Sequence, residues 1–267
     1  MSKASRWKDK LPVNGVMEVE FFSWKYFHDY VRQEMLDYSH YVWRGQRDAA
    51  WELESSLDRI LKSKLKTHRP RLARAHLEKF KYAVRGRRGT NPSRIEDENE
   101  WWALGQHHGL ATPLLDWTES PFVALYFAFE KPEKPSSGKR VVWALGDTSK
   151  KNKEITAAHT GTDRPAILEM VRPHQDENAR LVSQSGLFTR APLGVTVDGW
   201  IEMNHPGVTT APLLKLIIPD KERTECLRTL NKMNINHITL FPDLYGAGQH
   251  CNKGGCPNFC VNGADIS

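Results

Sequence analysis

The stretch that decides the fold reads QHHGLATPLLDWTESPFVALYFAFE and occupies residues 106–130. Residues 122–129 are apolar on every side, which is typical of a helix packed on more than one face. Ser120 has the residue type of an N-cap, and Pro121 fits the first position of a helix. We therefore expect a core helix here, with the polar segment 116–118 directly before its N-terminus.

The segment Asp116-Trp117-Thr118 is the strongest local signal for a functional site. A helix N-terminus carries unpaired backbone N–H groups and a partial positive charge, which suits a pyrophosphate or orients Asp116. An elaborate N-cap is the structural alternative. A tryptophan beside an aspartate exceeds what capping requires, so the functional interpretation is preferred.

The sequence Gln106-His107-His108-Gly109 marks the end of the preceding helix, with the glycine as its stop. Neighbouring residues on a helix diverge by about 100°, so the two histidines cannot face one metal ion together. No metal site is predicted there. One histidine is expected to be a hydrogen-bonding site residue and the other structural or exposed.

Further upstream, a short β-type run ends in Trp43-Arg44-Gly45-Gln46. Arg44 either pairs with a structural carboxylate or anchors a phosphate, in which case Gly45 lets the ligand approach. Other elements follow from periodicity and breakers. Strands are expected at 140–145, 166–170, 179–188, 213–218 and 237–240, and helices in 16–41 after a short strand, 70–83 and 221–233. This order predicts an α+β protein.

The positive charge of the chain is concentrated between Lys62 and Arg94, where twelve Lys/Arg residues accompany one acid, Glu78. A solvated helix face is the ordinary explanation. A block this one-sided also repels itself unless an anion is nearby, and nucleic acid is the commonest such partner.

The chain has 267 residues, of which 39% are hydrophobic, enough for one large domain. It lacks an apolar run of about 18 residues and the apolar core of a secretion signal, so we predict a cytoplasmic protein without a membrane segment. Three of its four cysteines, Cys251, Cys256 and Cys260, stand close to His250. A zinc site could form from them, but free thiols in a loose tail are favoured.

These motifs resemble the FRG domain, a family named for a Phe-Arg-Gly motif in which Trp43 here replaces the phenylalanine. The likeness rests on 43–46, 106–118 and 120–128, with later blocks at 180–188 and 240–246. It implies a single domain over 1–267, with a core of about 16–248, a basic helical insertion at about 62–94 and a cysteine-containing tail at 249–267.

A second likeness is to ADP-ribosyltransferases of the Arg-Ser-Glu type, which begin with an aromatic-Arg-Gly strand. It implies a split mixed β-sheet with flanking helices that binds NAD as the ADP-ribose donor. The cofactor-binding residues implied are Arg44 on the pyrophosphate, Gly45, Gln46, Gln106 and Trp117, whose ring would stack. The catalytic residues implied are His107, Asp116, Thr118, Gln184 and Asp243.

The glutamate of that transferase pattern has no clear counterpart. Ser183-Gln184 stands at about the right place, but glutamine brings no charge. Asp116, Asp243 or Glu202 would have to supply the carboxylate that stabilises the developing positive charge. His107 would position the acceptor or take its proton.

The function expected is transfer of ADP-ribose from NAD to a nucleic acid held by the 62–94 segment. By analogy, such an activity fits a bacterial toxin or anti-phage effector with an antitoxin or immunity partner. One alternative is a non-catalytic nucleic-acid-binding module that uses Trp101 or Trp102 for stacking. The other is a metal-dependent hydrolase built on Asp116, Glu119 and Asp243.

Overall fold

A mixed β-sheet runs through the molecule in the strand order β1-β2-β8-β5-β3-β4-β7-β6. The computed structural model describes residues 5–173, 179–207 and 210–252. Within them the strands are β1 (Trp7–Asp9), β2 (Val16–Phe21), β3 (Val42–Gln46), β4 (Leu114–Thr118), β5 (Lys139–Leu145), β6 (Glu169–Val171), β7 (Gly186–Arg190) and β8 (Leu213–Pro219).

The helices lie on the faces and edges of this sheet. They are α1 (Tyr26–Tyr30), which continues as a π-helical turn at Val31–Met35, α2 (Ser56–Leu61), α3 (Arg69–Ala83), α4 (Glu98–His107), α5 (Pro121–Glu130), α6 (Ser149–Ala158), α7 (Ala179–Ser183), α8 (Val197–Asn204), α9 (Arg223–Lys232), α10 (His237–Leu240) and α11 (Leu244–Asn252). The predicted mixed sheet with flanking helices is confirmed.

The sheet divides between β3 and β4. Strands β3 and β5 share five residue pairs, and so do β4 and β7, but β3 and β4 meet only at Trp43 and Thr118. Strands β2 and β8 are parallel, and the other adjacent pairs are antiparallel. The sheet therefore forks beyond Trp43, between Arg44 on one arm and Asp116 on the other.

Helix α5 is the core helix that the sequence predicts. The Ser120 hydroxyl accepts a hydrogen bond from the Val123 N–H at 3.3 Å, and Pro121 occupies the first turn. Ala124, Ala128 and Phe129 are fully buried, in one cluster with residues of α1, β2 and β8. Burial on several sides explains why this segment carries no polar stripe.

Gly45 allows α5 to lie directly on β3. A Cβ atom at this position would stand 1.9 Å from the carbonyl oxygen of Ala124 and 2.5 Å from the backbone nitrogen of Ala128. Both are backbone atoms that cannot move without moving the helix. Gly45 thus permits the close approach of α5 to β3, and this packing requires a glycine at position 45.

The C-terminal end of α5 is held by Arg140 of β5, whose side chain is fully buried. Its Nη1 donates to the carbonyls of Ala128 at 2.6 Å and Lys131 at 3.1 Å, and its Nε donates to Asp220 at 2.6 Å. A buried guanidinium is tolerated because carbonyls and a carboxylate satisfy its donors. The C-terminal end of α5 is thus fixed to β5, while its N-terminal end is capped by Ser120.

Two strand predictions were wrong. Residues 179–188 form α7 and then β7, because the N–H groups of Gln184 and Ser185 close a helical turn onto Arg180 and Val182. Residues 237–240 form α10, because Asn236 and Thr239 make a reciprocal capping box. In both segments local hydrogen bonds prevail over β-type composition.

No helix among residues 5–173, 179–207 and 210–252 is long and apolar enough to cross a bilayer.

We expect Gly45→Ala to lower the free energy of unfolding by at least about 2 kcal/mol, because the added methyl group overlaps backbone atoms of α5. Urea denaturation measures the loss. Gly248→Ala is the matched control, since Gly248 is an exposed residue of α11 whose added Cβ meets nothing within 4 Å. Equal effects of the two substitutions would contradict the packing role of Gly45.

Candidate functional site

A cleft of about 1130 Å³ opens at the fork between β3 and β4. Its walls come from β3, β4, α2, α5 and the loops that follow β3 and α5, together with Gln184 and Phe241. The charged side chains that line it are Arg44, Arg47, Arg59 and Lys131 on one hand and Glu52, Glu54, Asp116, Glu130 and Glu133 on the other. The cleft is large enough for a dinucleotide and carries charges of both signs.

Arg44 lies at the point where the strands diverge. Its Nη1 donates to the backbone carbonyl of Asp116 at 2.6 Å and lies 3.7 Å from the Asp116 carboxylate. The Arg44 side chain is 21% exposed, whereas that of Asp116 is 65% exposed. The arginine therefore bridges the two arms of the fork, and the carboxylate beside it faces the cleft.

A second arginine acts on the first electrostatically. Burial lowers the pKa of Arg44 from its ordinary value, and the positive charge of Arg59 on α2 lowers it further, while Asp116 opposes both effects. An arginine stays protonated under such a shift, so two mutually repelling cations share this part of the cleft. An anion between them would relieve the repulsion, which makes this end suited to a phosphate.

Asp116 is held in place from α4. The Gln106 amide nitrogen donates to the Asp116 carboxylate at 2.8 Å, and the Gln106 carbonyl oxygen accepts a hydrogen bond from the Thr112 hydroxyl. Gln106 is not among the described residues that line the cleft. Gln106 therefore orients the Asp116 carboxylate, which does line the cleft.

Four other predicted site residues border the cleft while their polar atoms bond to the protein. The Gln46 amide contacts the Trp143 indole and the Glu52 carbonyl, and the Trp117 indole donates to Thr189 at 2.8 Å. The Thr118 hydroxyl donates to the Gln184 carbonyl at 2.6 Å, and the Gln184 amide donates to Leu240. Gln46, Trp117 and Thr118 are buried as well, so these contacts stabilise the walls.

Asp243 and His107 lie together, and neither belongs to the described lining of the cleft. Asp243 accepts hydrogen bonds from the Gly246 N–H and from Arg180, and these two contacts lower its pKa, with a smaller contribution from His107. His107 is also in edge contact with His108, at 4.8 Å between ring centroids. The structure does not bring these two residues to Arg44.

The sequence prediction missed several residues of the cleft, notably Arg47, Trp51, Arg59 and Glu130. Trp51 is 45% exposed, and the Arg47 guanidinium lies 4.9 Å from the centroid of its ring. An exposed indole on a cleft wall can stack on a planar ligand, which the buried Trp117 cannot. The sequence offered one signal for this residue: Trp51 stands in a polar segment only eight residues after Trp43, where an exposed aromatic side chain is expected.

The carboxylates of the hydrolase alternative do not converge. Glu119 pairs with Arg172 and Asp243 pairs with Arg180, whereas Asp116 contacts Arg44 and Gln106. In the part of the chain that the structure describes, no three His, Cys, Asp or Glu residues are grouped as metal ligands. Of the suggested zinc ligands, Cys251 is exposed on α11, and Cys256 and Cys260 lie outside the described residues.

Asp48 connects two loops of the cleft. Its carboxylate accepts hydrogen bonds from the Ala50 N–H at 3.0 Å and from the N–H and hydroxyl of Ser136 at 2.5 and 2.6 Å. Ser137 adds a longer contact. Burial alone would raise the pKa of Asp48, but these hydrogen bonds outweigh it and hold the pKa well below its usual range.

Comparison with known proteins identifies one family. Residues 39–137 match the model of the FRG domain, which confirms the resemblance seen in the sequence for that part of the chain. The match contains every residue that lines the cleft except Gln184 and Phe241. No curated protein and no solved structure matches the chain.

We expect Asp48→Asn to lower the melting temperature at neutral pH and to have a smaller effect in acid. A carboxyl whose pKa is depressed by folding stabilises the protein above its unfolded pKa of about 3.9, and this stabilisation is lost as the pH falls toward the folded value. Thermal unfolding of both proteins between pH 7 and pH 3 measures the difference. A difference that stays constant over this range would contradict the charged role of Asp48.

Proposed function

We propose, from the cleft at the fork of the sheet and the charged residues that line it, that this chain is an ADP-ribosyltransferase that transfers ADP-ribose from NAD to a nucleic acid. The observation that carries the proposal is Arg44. Its guanidinium lies at the fork, close to the charge of Arg59 and beside the exposed Asp116 carboxylate. Paired guanidinium groups suit a pyrophosphate, and a nearby carboxylate suits a developing positive charge.

The remaining cleft residues fit the other parts of a dinucleotide. Trp51 offers an exposed indole face for an adenine or nicotinamide ring. Five acidic and four basic side chains line the cleft, so the cleft itself would not hold a long polyanion. A dinucleotide with two phosphates carries a smaller charge, which the guanidinium groups of Arg44 and Arg59 could balance.

The acceptor is proposed from the distribution of charge. Residues 62–94 carry twelve Lys/Arg and one acid, a net charge of +11, whereas the rest of the chain carries 26 Lys/Arg and 31 Asp/Glu, a net charge of −5. The whole positive excess of the protein thus lies in one segment. A nucleic acid is a partner that such a surface would attract through its phosphates.

Helix α3 carries part of this charge on its exposed face and packs its other face against α4. Leu77 is buried against a cluster that includes Trp102 of α4, while Arg71, Arg74 and Lys79 are exposed. Arg59 lines the cleft on the helix that directly precedes the basic segment, and Lys62 pairs with Glu54 of the cleft wall at 3.3 Å. The basic surface therefore begins at the rim of the cleft, which supports delivery of a nucleotide from one to the other.

The basic segment also carries aromatic side chains. The Arg85 guanidinium lies 3.7 Å from the ring centroid of Tyr82, a residue that is 70% exposed. Lys81 and Arg88 both lie within 6 Å of the ring centroid of Trp101, a partly buried residue of the neighbouring helix α4. A cation next to an exposed ring such as Tyr82 suits the bases and phosphates of a single strand.

In the proposed reaction the bond between the nicotinamide nitrogen and the ribose C1′ breaks, and its electron pair leaves with nicotinamide. A nucleophilic atom of the acceptor forms the new bond to C1′ and releases a proton. Modification of nucleic acid would place the protein in the cytoplasm. By analogy, it fits a toxin or anti-phage effector with an antitoxin or immunity partner.

We expect Arg44→Lys to reduce transfer from labelled NAD by roughly 100-fold, because lysine keeps the charge but cannot present two donors to a pyrophosphate. The assay incubates purified protein with labelled NAD and, separately, DNA, RNA and lysate proteins. Arg228→Lys is the control, since Arg228 is exposed on α9 and lies outside both the described lining of the cleft and residues 62–94. The proposal would be refuted if the unmodified protein showed no NAD binding and no transfer.

A second candidate is a nucleic-acid-binding module without catalysis, which the charge of residues 62–94 favours on its own. Both candidates require salt-dependent binding. Replacing Arg71, Arg74 and Lys79 by glutamine should lower the slope of log K against log salt by about 2 to 3, since each phosphate contact contributes about 0.7 to 0.9.

Binding to a fluorescent oligonucleotide between 50 and 300 mM salt measures this slope. The matched control replaces Lys150, Lys153 and Lys232, three exposed lysines outside the segment, by glutamine. An equal loss of slope in both triple variants would contradict a dedicated surface on α3. Salt-dependent binding by the unmodified protein, with the expected loss of slope in the α3 variant but without NAD turnover, would support the non-catalytic module.

A further inference from the structure

Glu130, the last residue of α5, differs from the other acids of the cleft. Its side chain is only 11% exposed, whereas those of Asp116 and Glu133 are 65% and 60% exposed. A carboxylate is costly to remove from water unless polar partners compensate. A nearly buried carboxylate on a cleft wall therefore calls for such partners.

An imidazole and a phenol lie behind Glu130. The Nδ1 atom of His237 is 3.7 Å from the Glu130 carboxylate and 3.3 Å from the Tyr126 hydroxyl. Tyr126 is buried one turn earlier on α5, and burial raises its pKa, with the charge of Glu130 adding to the effect. The three side chains form a polar group within an otherwise apolar region.

His237 is fixed on its other sides. It begins α10 directly after the Asn236 cap, and its ring stacks on Phe241 with the centroids 4.3 Å apart. Phe241 lines the cleft and is in edge contact with Phe127 of α5. The stack thus aligns the imidazole with the wall from which Glu130 reaches the cleft.

Glu130 lies beside basic residues and at the cleft. The Lys131 ammonium is 3.9 Å from its carboxylate, and Arg223 donates to its backbone carbonyl. Glu130 also lines the cleft, so it borders the space that a ligand would occupy.

We propose that Glu130 is the general base of the transfer reaction, held in position by His237. The inference rests on the proposed function and gives Glu130 a role distinct from that of Asp116. As the acceptor's lone pair forms the bond to C1′ and nicotinamide departs with its electron pair, the acceptor's N–H or O–H proton passes to the Glu130 carboxylate. Proton removal of this kind accelerates a reaction by about 10² to 10⁴.

Glu130→Gln tests the proposal, because glutamine keeps the shape but cannot accept a proton. We expect kcat for transfer from NAD to fall at least 100-fold while KM for NAD changes less than threefold. Glu154→Gln is the control, since Glu154 is an exposed glutamate of α6 that pairs with Lys151 at 2.7 Å and lies outside the described lining of the cleft. It should change kcat less than threefold.

Two further variants separate chemistry from folding. Glu130→Ala should regain part of its lost activity when formate is added, which a structural defect would not allow. His237→Asn should lower kcat about tenfold with KM for NAD unchanged, as expected of a positioning residue. Thermal unfolding of each variant shows whether the fold is retained.

The outcomes distinguish the two proposals. Transfer by the unmodified protein with full activity in Glu130→Gln overturns the role of Glu130 and leaves the transferase proposal standing. Equal losses in Glu130→Gln and Glu154→Gln, or a loss in Glu130→Ala that formate does not relieve, also overturn it. Absence of NAD turnover by the unmodified protein overturns the transferase proposal and the general base with it.

Discussion

The contact between α5 and β3 is the constraint on which the rest of the structure depends. It exists because Gly45 has no side chain, so the helix backbone rests on the strand. Arg140 fixes the far end of the same helix to β5 and to Asp220 at the end of β8. With α5 in this position, Phe127 and Glu130 form one wall of the cleft, and β3 carries Arg44 to the fork. Gly45 and Arg140 are therefore structural requirements of the site, because they hold α5 in place.

The sequence predicted most where one pattern decides the structure. The apolar helix at 122–129, its Ser120 cap and the mixed sheet follow from periodicity and capping rules. The two segments around 184 and 238 could not be predicted in the same way. Their β-type composition competes with hydrogen bonds that form only when Ser185 and Asn236 adopt particular backbone conformations.

The candidate site was predictable in part. Arg44 and Asp116 could be predicted as site residues, because an arginine followed by glycine and a carboxylate before a helix are visible in the sequence. The structure places the two residues together at the cleft. Sequence could not show that Trp117 and Thr118 turn their polar atoms into the protein, because strand register decides which side chains face the cleft. Nor could it connect Glu130 with His237, which are separated by more than a hundred residues and meet only through tertiary packing.

The single residue pair that joins β3 to β4 has a mechanical consequence. Within each arm the strands form continuous ladders. Between the arms, Trp43 and Thr118 are the single pair of strand partners among the described residues. A rotation of one arm about this pair would leave every ladder intact, but it would stretch the hydrogen bond from Arg44 to the Asp116 carbonyl and shear the buried cluster that Val42 and Trp143 form with Leu115 and Trp117 across the fork. The width of the cleft is therefore set by side chains that cross the fork and not by the strand ladders.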